Sequence, residues 1–231
     1  MTNGKAMRSE EPIKSIVLPA KTRRFKPFAI ALAIAGVFFV LYPALRPFSD
    51  EAALQGAIAF ASQEWVVSHV LAIFAFILVT FGFYGLYLYV QGTAGERLAR
   101  KGLVFSYAGT GLTLPYYGAE IFGLRAIGQE AIRQNSDALL NLANHVRFGP
   151  GFVLIVTGLL LLAAGSAMIA IAVWKSRMTP KWSGLPLAAG FLLFLPQYMA
   201  GQPLRIVHGL LLATGCFWIA VVVWRQKQDR R

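Results

Sequence analysis

Three histidines, one deep carboxylate and three arginines are the residues of this chain best placed to do chemistry. His69 stands four residues past Trp65 at the start of a long apolar run, His145 just before another, and His208 four residues into a third. Glu120 lies in the stretch LPYYGAEIFGLR (114–125), 19 residues beyond Lys101. At about 1.5 Å per residue, that distance carries it to the far edge of a hydrocarbon layer about 30 Å thick. Arg125, Arg147 and Arg205 fall at the same level. A carboxylate at membrane depth is costly unless a cation or imidazole meets it, so Glu120 needs a partner from this group. Backwards from Glu120 in steps of three and four come Tyr117, Tyr116, Thr113, Gly109 and Ser106, a polar stripe along one helix face.

Three chemistries fit. Neutral imidazoles bind zinc, and His69, His145 and His208 around an open water position would make a catalytic zinc site with Glu120 as general base. A pair such as His69 and His208 would instead ligate a haem b iron from both sides, with arginines meeting the propionates, in a membrane electron carrier. The third reading needs no metal. Arg125, Arg147 and Arg205 would hold the head of an anionic or lipid-like ligand, with Tyr116, Tyr117 and Tyr198 around its apolar part, in a transporter, receptor or enzyme. The first is favoured: a membrane-embedded, metal-dependent enzyme, a hydrolase, acting on a lipidic or amphiphilic substrate, with Glu120 as its catalytic residue. The spacing is unspecific, with one histidine per helix and no His-Glu-x-x-His. Proton-coupled transporters place ionisable groups nearer the bilayer centre, which weighs against transport.

The elements that must position these residues are membrane helices. Of 231 residues 57% are hydrophobic and only 14% charged, with a mean hydropathy of +0.58; a soluble domain carries about one quarter charged. Apolar runs of about 20 residues occur at 28–45, 65–90, 102–124, 148–174, 182–199 and 204–224. The expectation is an all-α, multi-pass integral protein of the cytoplasmic or plasma membrane, a six-helix bundle spanning 28–224 between basic tails 1–27 and 225–231. The net charge of +12 does not point to nucleic acid. Seven of the 22 lysines and arginines lie in 1–27, three in 91–101, three in 175–181 and four after Trp224. That alternation is the positive-inside pattern with both termini cytoplasmic. Lys21, Arg23, Arg24 and Lys26 would also suit anionic lipid heads. Trp65, Trp174, Trp182 and Trp224 fall at run ends, as interfacial aromatics do. The long basic leader without a small-residue cleavage site makes the first run a retained span. A single cysteine, Cys216, excludes an internal disulfide and any Cys-x-x-Cys motif.

Finer features follow. Segment 128–146 has apolar and polar residues at helical spacing and reads as a short amphipathic outer helix, with FGPG (148–151) breaking it before the next span. Pro115 predicts a kink beneath Glu120. His69, Phe76, Leu78 and Gly82 recur at the same offsets as His145, Phe152, Leu154 and Gly158, a pattern suggesting three hairpin pseudo-repeats. Gly158, Ala163, Gly165 and Ser166 suit close helix packing. GTGLTL (109–114) lacks the Gly-Lys of a phosphate loop. Asp50 and Glu51 read as a solvated cap in the first outer loop.

Overall fold

The computed structural model describes residues 25–177 and 180–225; most of the basic tails, including Lys21, Arg23 and Arg24, falls outside them, while Lys26 opens the first helix. All regular structure among the described residues is helical: α1 (Lys26–Leu45), α2 (Leu54–Ala61), α3 (Gln63–Val90), α4 (Glu96–Gln134), α5 (Asn141–Phe148), α6 (Pro150–Ser176), α7 (Leu185–Leu192) and α8 (Gln202–Trp224), with 3-10 turns at Asp137–Leu140 and Pro196–Met199. Four of these, α1, α3, α6 and α8, are long and apolar enough to cross a membrane. Their outer faces carry large exposed apolar side chains, such as Ile30, Ile34, Phe74, Ile77, Leu160, Ile171, Leu210 and Phe217. An apolar surface that extensive is stable against lipid rather than water.

Packing of α4 on α6 follows from glycine. A Cβ on Gly109 would lie 2.6 Å from the Gly158 carbonyl oxygen, and one on Gly102 would lie 2.7 Å from that of Gly165. The two helices therefore touch backbone to backbone along antiparallel seams seven residues apart, as small residues allow in membrane bundles. Ser106 and Thr113 on this seam return their hydroxyls to the carbonyls of Gly102 and Gly109, each at 2.8 Å. The lower half of the polar stripe is thus a packing surface. Gly158 and Gly165 serve the close packing that the sequence suggests.

The fifth apolar run is not one helix. Pro186 opens α7, which has eight residues, and Pro196 opens the 3-10 turn beyond it; proline removes a donor and disfavours helix at the preceding residue. The broken segment still follows α8, with the Gly215 Cβ position 2.4 Å from Leu187 N at one end. At the other end Arg205 reaches the Tyr198 carbonyl.

α4 is longer than the expected third span. It runs unbroken through Pro115 for 39 residues, about 58 Å at 1.5 Å per residue, well over the thickness of a hydrocarbon core. It ends at Asn135, whose left-handed backbone (φ 49°) lets the Ser136 N–H bond the Ala131 carbonyl at 3.0 Å. The amphipathic segment expected over 128–146 is therefore split between the end of α4, a 3-10 turn and α5. These pieces and α2 share a small core of Ala57, Phe60, Trp65, Leu124, Ala131, Leu140 and Ala143. They form a cap over one end of the bundle. The expected histidine repeat has unlike surroundings: His69 is 1% exposed, whereas His145 is on the cap surface.

Candidate functional site

Beneath the cap lies a cavity of about 680 Å³. Glu120 enters it from α4 and is 4% exposed. Its partner is Arg147 at the end of α5: Nε donates to Oε1 at 2.7 Å and Nη2 to Oε2 at 3.0 Å. This two-point fork is the strongest form of carboxylate pairing. The third guanidinium nitrogen, Nη1, donates to Glu51 Oε2. Glu51 Oε1 in turn accepts from Arg46 Nη2 at 2.7 Å. Two arginines and two carboxylates thus alternate along one wall, tying the α1–α2 loop, α5 and α4 together. Burial lowers the pKa of Arg147, but the carboxylates of Glu120 and Glu51 outweigh it and hold the guanidinium above its usual value.

His69, on α3, faces the same space. Its Nδ1 lies 2.7 Å from the Trp65 carbonyl, and its Nε2 is 3.7 Å from Glu120 Oε2. A carbonyl only accepts, so Nδ1 carries a proton, and in the neutral imidazole Nε2 then offers a lone pair to the cavity. Trp65 packs at 4.5 Å from the imidazole and donates its indole N–H to the Glu120 carbonyl at 2.9 Å. Ser62 caps α3 by accepting from Trp65 N at 3.1 Å, which fixes the turn carrying both rings.

The floor is aromatic. The Tyr117 and Tyr198 hydroxyls meet at 3.0 Å, and Tyr42 lies 5.8 Å from Tyr117. Under them Phe39, Phe76, Phe191 and Phe194 are buried, with Phe76 5.4 Å from Tyr117 and 5.3 Å from Phe194. The same cavity is also lined by apolar side chains, among them Phe148, Phe152, Val156, Leu195 and Met199. Phe148, Phe152 and Met199 are also exposed, so this part of the lining reaches the protein surface.

Of the residues singled out by sequence, the cavity gathers His69, Glu120, Arg147, Arg205, Tyr116, Tyr117 and Tyr198. Arg125 is not among them; it donates to Gln63 Oε1 at 3.2 Å on the cap surface. Nor do the three histidines converge. His145 is exposed, with Nδ1 3.0 Å from the Asn141 carbonyl of its own helix. His208 lies on the far side of the Pro196–Met199 turn, its Nε2 2.7 Å from the Gly190 carbonyl and its ring 5.1 Å from Phe194. Among the described residues no group of three or more His, Cys, Asp or Glu side chains is arranged to hold a metal ion. The donor set therefore does not fit a three-histidine zinc centre. Nor does it fit a haem b ligated by His69 and His208, whose rings look onto different spaces.

Sequence reasoning missed Tyr42, Arg46, Phe48, Ser49 and Glu51, all on the cavity lining. Glu51 is a bridge between two arginines rather than a solvated cap. Arg46 was the available signal, as the lone basic residue between the first two apolar runs with a carboxylate five positions on. Comparison with protein-family models, curated proteins and solved structures finds no match.

Proposed function

We propose that this chain is a six-span membrane protein, with both termini cytoplasmic and the cap outside, that binds an amphiphilic small molecule in the cavity beneath the cap. The observation that carries this is one cavity lined both by an ion-paired polar network and by apolar side chains that reach the protein surface. Such a space suits a molecule with a polar head and a hydrocarbon chain, entering from the outer leaflet. The 17-to-5 division of basic residues supports the orientation. The third and fifth spans of this topology are α4 and the broken segment around α7. The buried aromatic layer under Tyr117 and Tyr198 favours a binding or sensing role over a through-path. Purification in a mild detergent followed by native mass spectrometry tests the proposal. The wild-type protein should retain one amphiphile, and Val156→Trp, which fills the apolar half, should not. Equal retention by both, or by neither, would refute it.

His69 favours a second reading, that the bound amphiphile is also a substrate. An imidazole held by Nδ1 with Nε2 free is the arrangement of a general base, and a ligand hydroxyl at Nε2 would lose its proton there. His69 then takes the role that the sequence suggests for Glu120, because both Glu120 oxygens are engaged by Arg147. His69→Gln should abolish turnover of a hydroxylated amphiphile while its binding persists. Loss of both together would leave only the binding role.

A further inference from the structure

Among the described residues the cavity lining leaves one guanidinium without a carboxylate and one hydroxyl without a hydrogen-bond partner. Arg46 and Arg147 are paired to carboxylates. Arg205, the third guanidinium on the lining, has no carboxylate partner among the described residues. Its Nε donates to the Ala200 carbonyl at 2.8 Å and its Nη2 to the Tyr198 carbonyl at 2.6 Å. Those bonds aim the fork and leave Nη1 without an acceptor among the described residues. The Phe48 ring lies between two cations, 5.1 Å from the Arg205 guanidinium and 4.9 Å from that of Arg46. The next residue, Ser49, also lines the cavity, and its buried Oγ has no hydrogen-bond partner among the described residues. A buried unpaired hydroxyl is destabilising unless something completes it.

The charges give the sign of what completes it. Three guanidiniums, Arg46, Arg147 and Arg205, face two buried or half-buried carboxylates, Glu51 and Glu120. Asp50 also lines the cavity, but it is exposed and its Oδ1 already accepts the Ala52 N–H at 3.0 Å. Counting Asp50 the lining is balanced in charge, but among the described residues Arg205 is the lining guanidinium that no carboxylate reaches. We infer that, within the amphiphile-binding reading on which this rests, Arg205 and Ser49 form the head-group subsite and select an amphiphile whose head bears a single anionic carboxylate or phosphate oxygen group. A guanidinium and a hydroxyl donate side by side to two oxygens of one such head. Phe48 screens the pair from the Arg46–Glu51 bridge, and the chain of the ligand runs along Phe152, Val156 and Leu195.

Equilibrium binding to the purified full chain in nanodiscs tests this, using three probes: palmitate, lysophosphatidylglycerol and uncharged hexadecanol. The wild-type protein should bind at least one of the two anions about 10- to 100-fold more tightly than hexadecanol, the range expected for a charged hydrogen bond. A preference for palmitate identifies a free fatty acid, and a preference for lysophosphatidylglycerol identifies a phospholipid head. Arg205→Gln should remove that preference while leaving hexadecanol binding unchanged. Ser49→Ala should weaken the anion alone, by about 2- to 10-fold. The surface variant Arg133→Gln should alter nothing. Should Arg205→Gln fail to fold, Arg205→Lys serves in its place: it keeps the charge but loses the fork, and should reduce the anion preference without erasing it. Equal binding of all three probes that Val156→Trp abolishes would overturn the head-group assignment while sparing the amphiphile reading. No binding of any probe would overturn both.

Discussion

Glu120 and Arg147 are unequal partners, and the difference is measurable. Arg147 has two carboxylates, whereas Glu120 has one guanidinium and, 3.7 Å away, an imidazole. Removing Arg147 strands a carboxylate that is 4% exposed, and breaking a buried pair in this way costs about 3–5 kcal/mol. Removing the Glu120 charge leaves Arg147 still held by Glu51, so the cost is nearer the 1–3 kcal/mol of a lost charged hydrogen bond. In thermal unfolding, Arg147→Gln should therefore fall further than Glu120→Gln, and the double variant should lie above Arg147→Gln. A larger loss for Glu120→Gln would reverse this assignment. That Glu120 needs a cation was legible in the sequence, because hydrocarbon leaves a carboxylate little else. Which cation was not: Arg125, five residues away, points to Gln63, while Arg147 returns only because the chain turns back after Asn135.

Glycine decides which faces of α4 can carry a side chain. Gly158 and Gly109 sit where an added Cβ would lie 2.8 and 2.6 Å from a carbonyl oxygen of the facing helix, and backbone cannot move aside as a flexible side chain can. Gly111, two residues from Gly109, has nothing within 4 Å of its Cβ position. Gly109→Ala should therefore destabilise by about 1–3 kcal/mol. Gly111→Ala should be neutral or stabilising by up to about 1 kcal/mol, since alanine is the better helix former. Thermal stability of the two variants, measured side by side, checks the α4–α6 seam; equal effects would place the helices differently. The long helices were legible from apolar runs, and the small-residue packing from their spacing. α2 was not, because eight residues without charge periodicity read as loop, and α7 was over-read because apolarity does not register where Pro186 and Pro196 interrupt it.

The whole molecule divides into a bundle, a cap and the cavity between them. The sequence carried the first through hydropathy. It carried half of the cavity through the stripe from Tyr116 to Glu120. It could not carry the cap, whose core joins residues from 57 to 143. Reporter fusions at Arg231 and within 135–140 should report opposite sides of the membrane; the same side for both would remove the outward orientation. The most direct test of the amphiphile site is photolabelling. A palmitate probe with a diazirine along its chain, cross-linked to the protein in nanodiscs and mapped by peptide mass spectrometry, should label 148–156 and 195–199. Val156→Trp should suppress that labelling. Labels confined to exposed apolar positions of the long helices such as Leu160, Leu210 and Phe217, undiminished in Val156→Trp, would contradict an amphiphile bound beneath the cap.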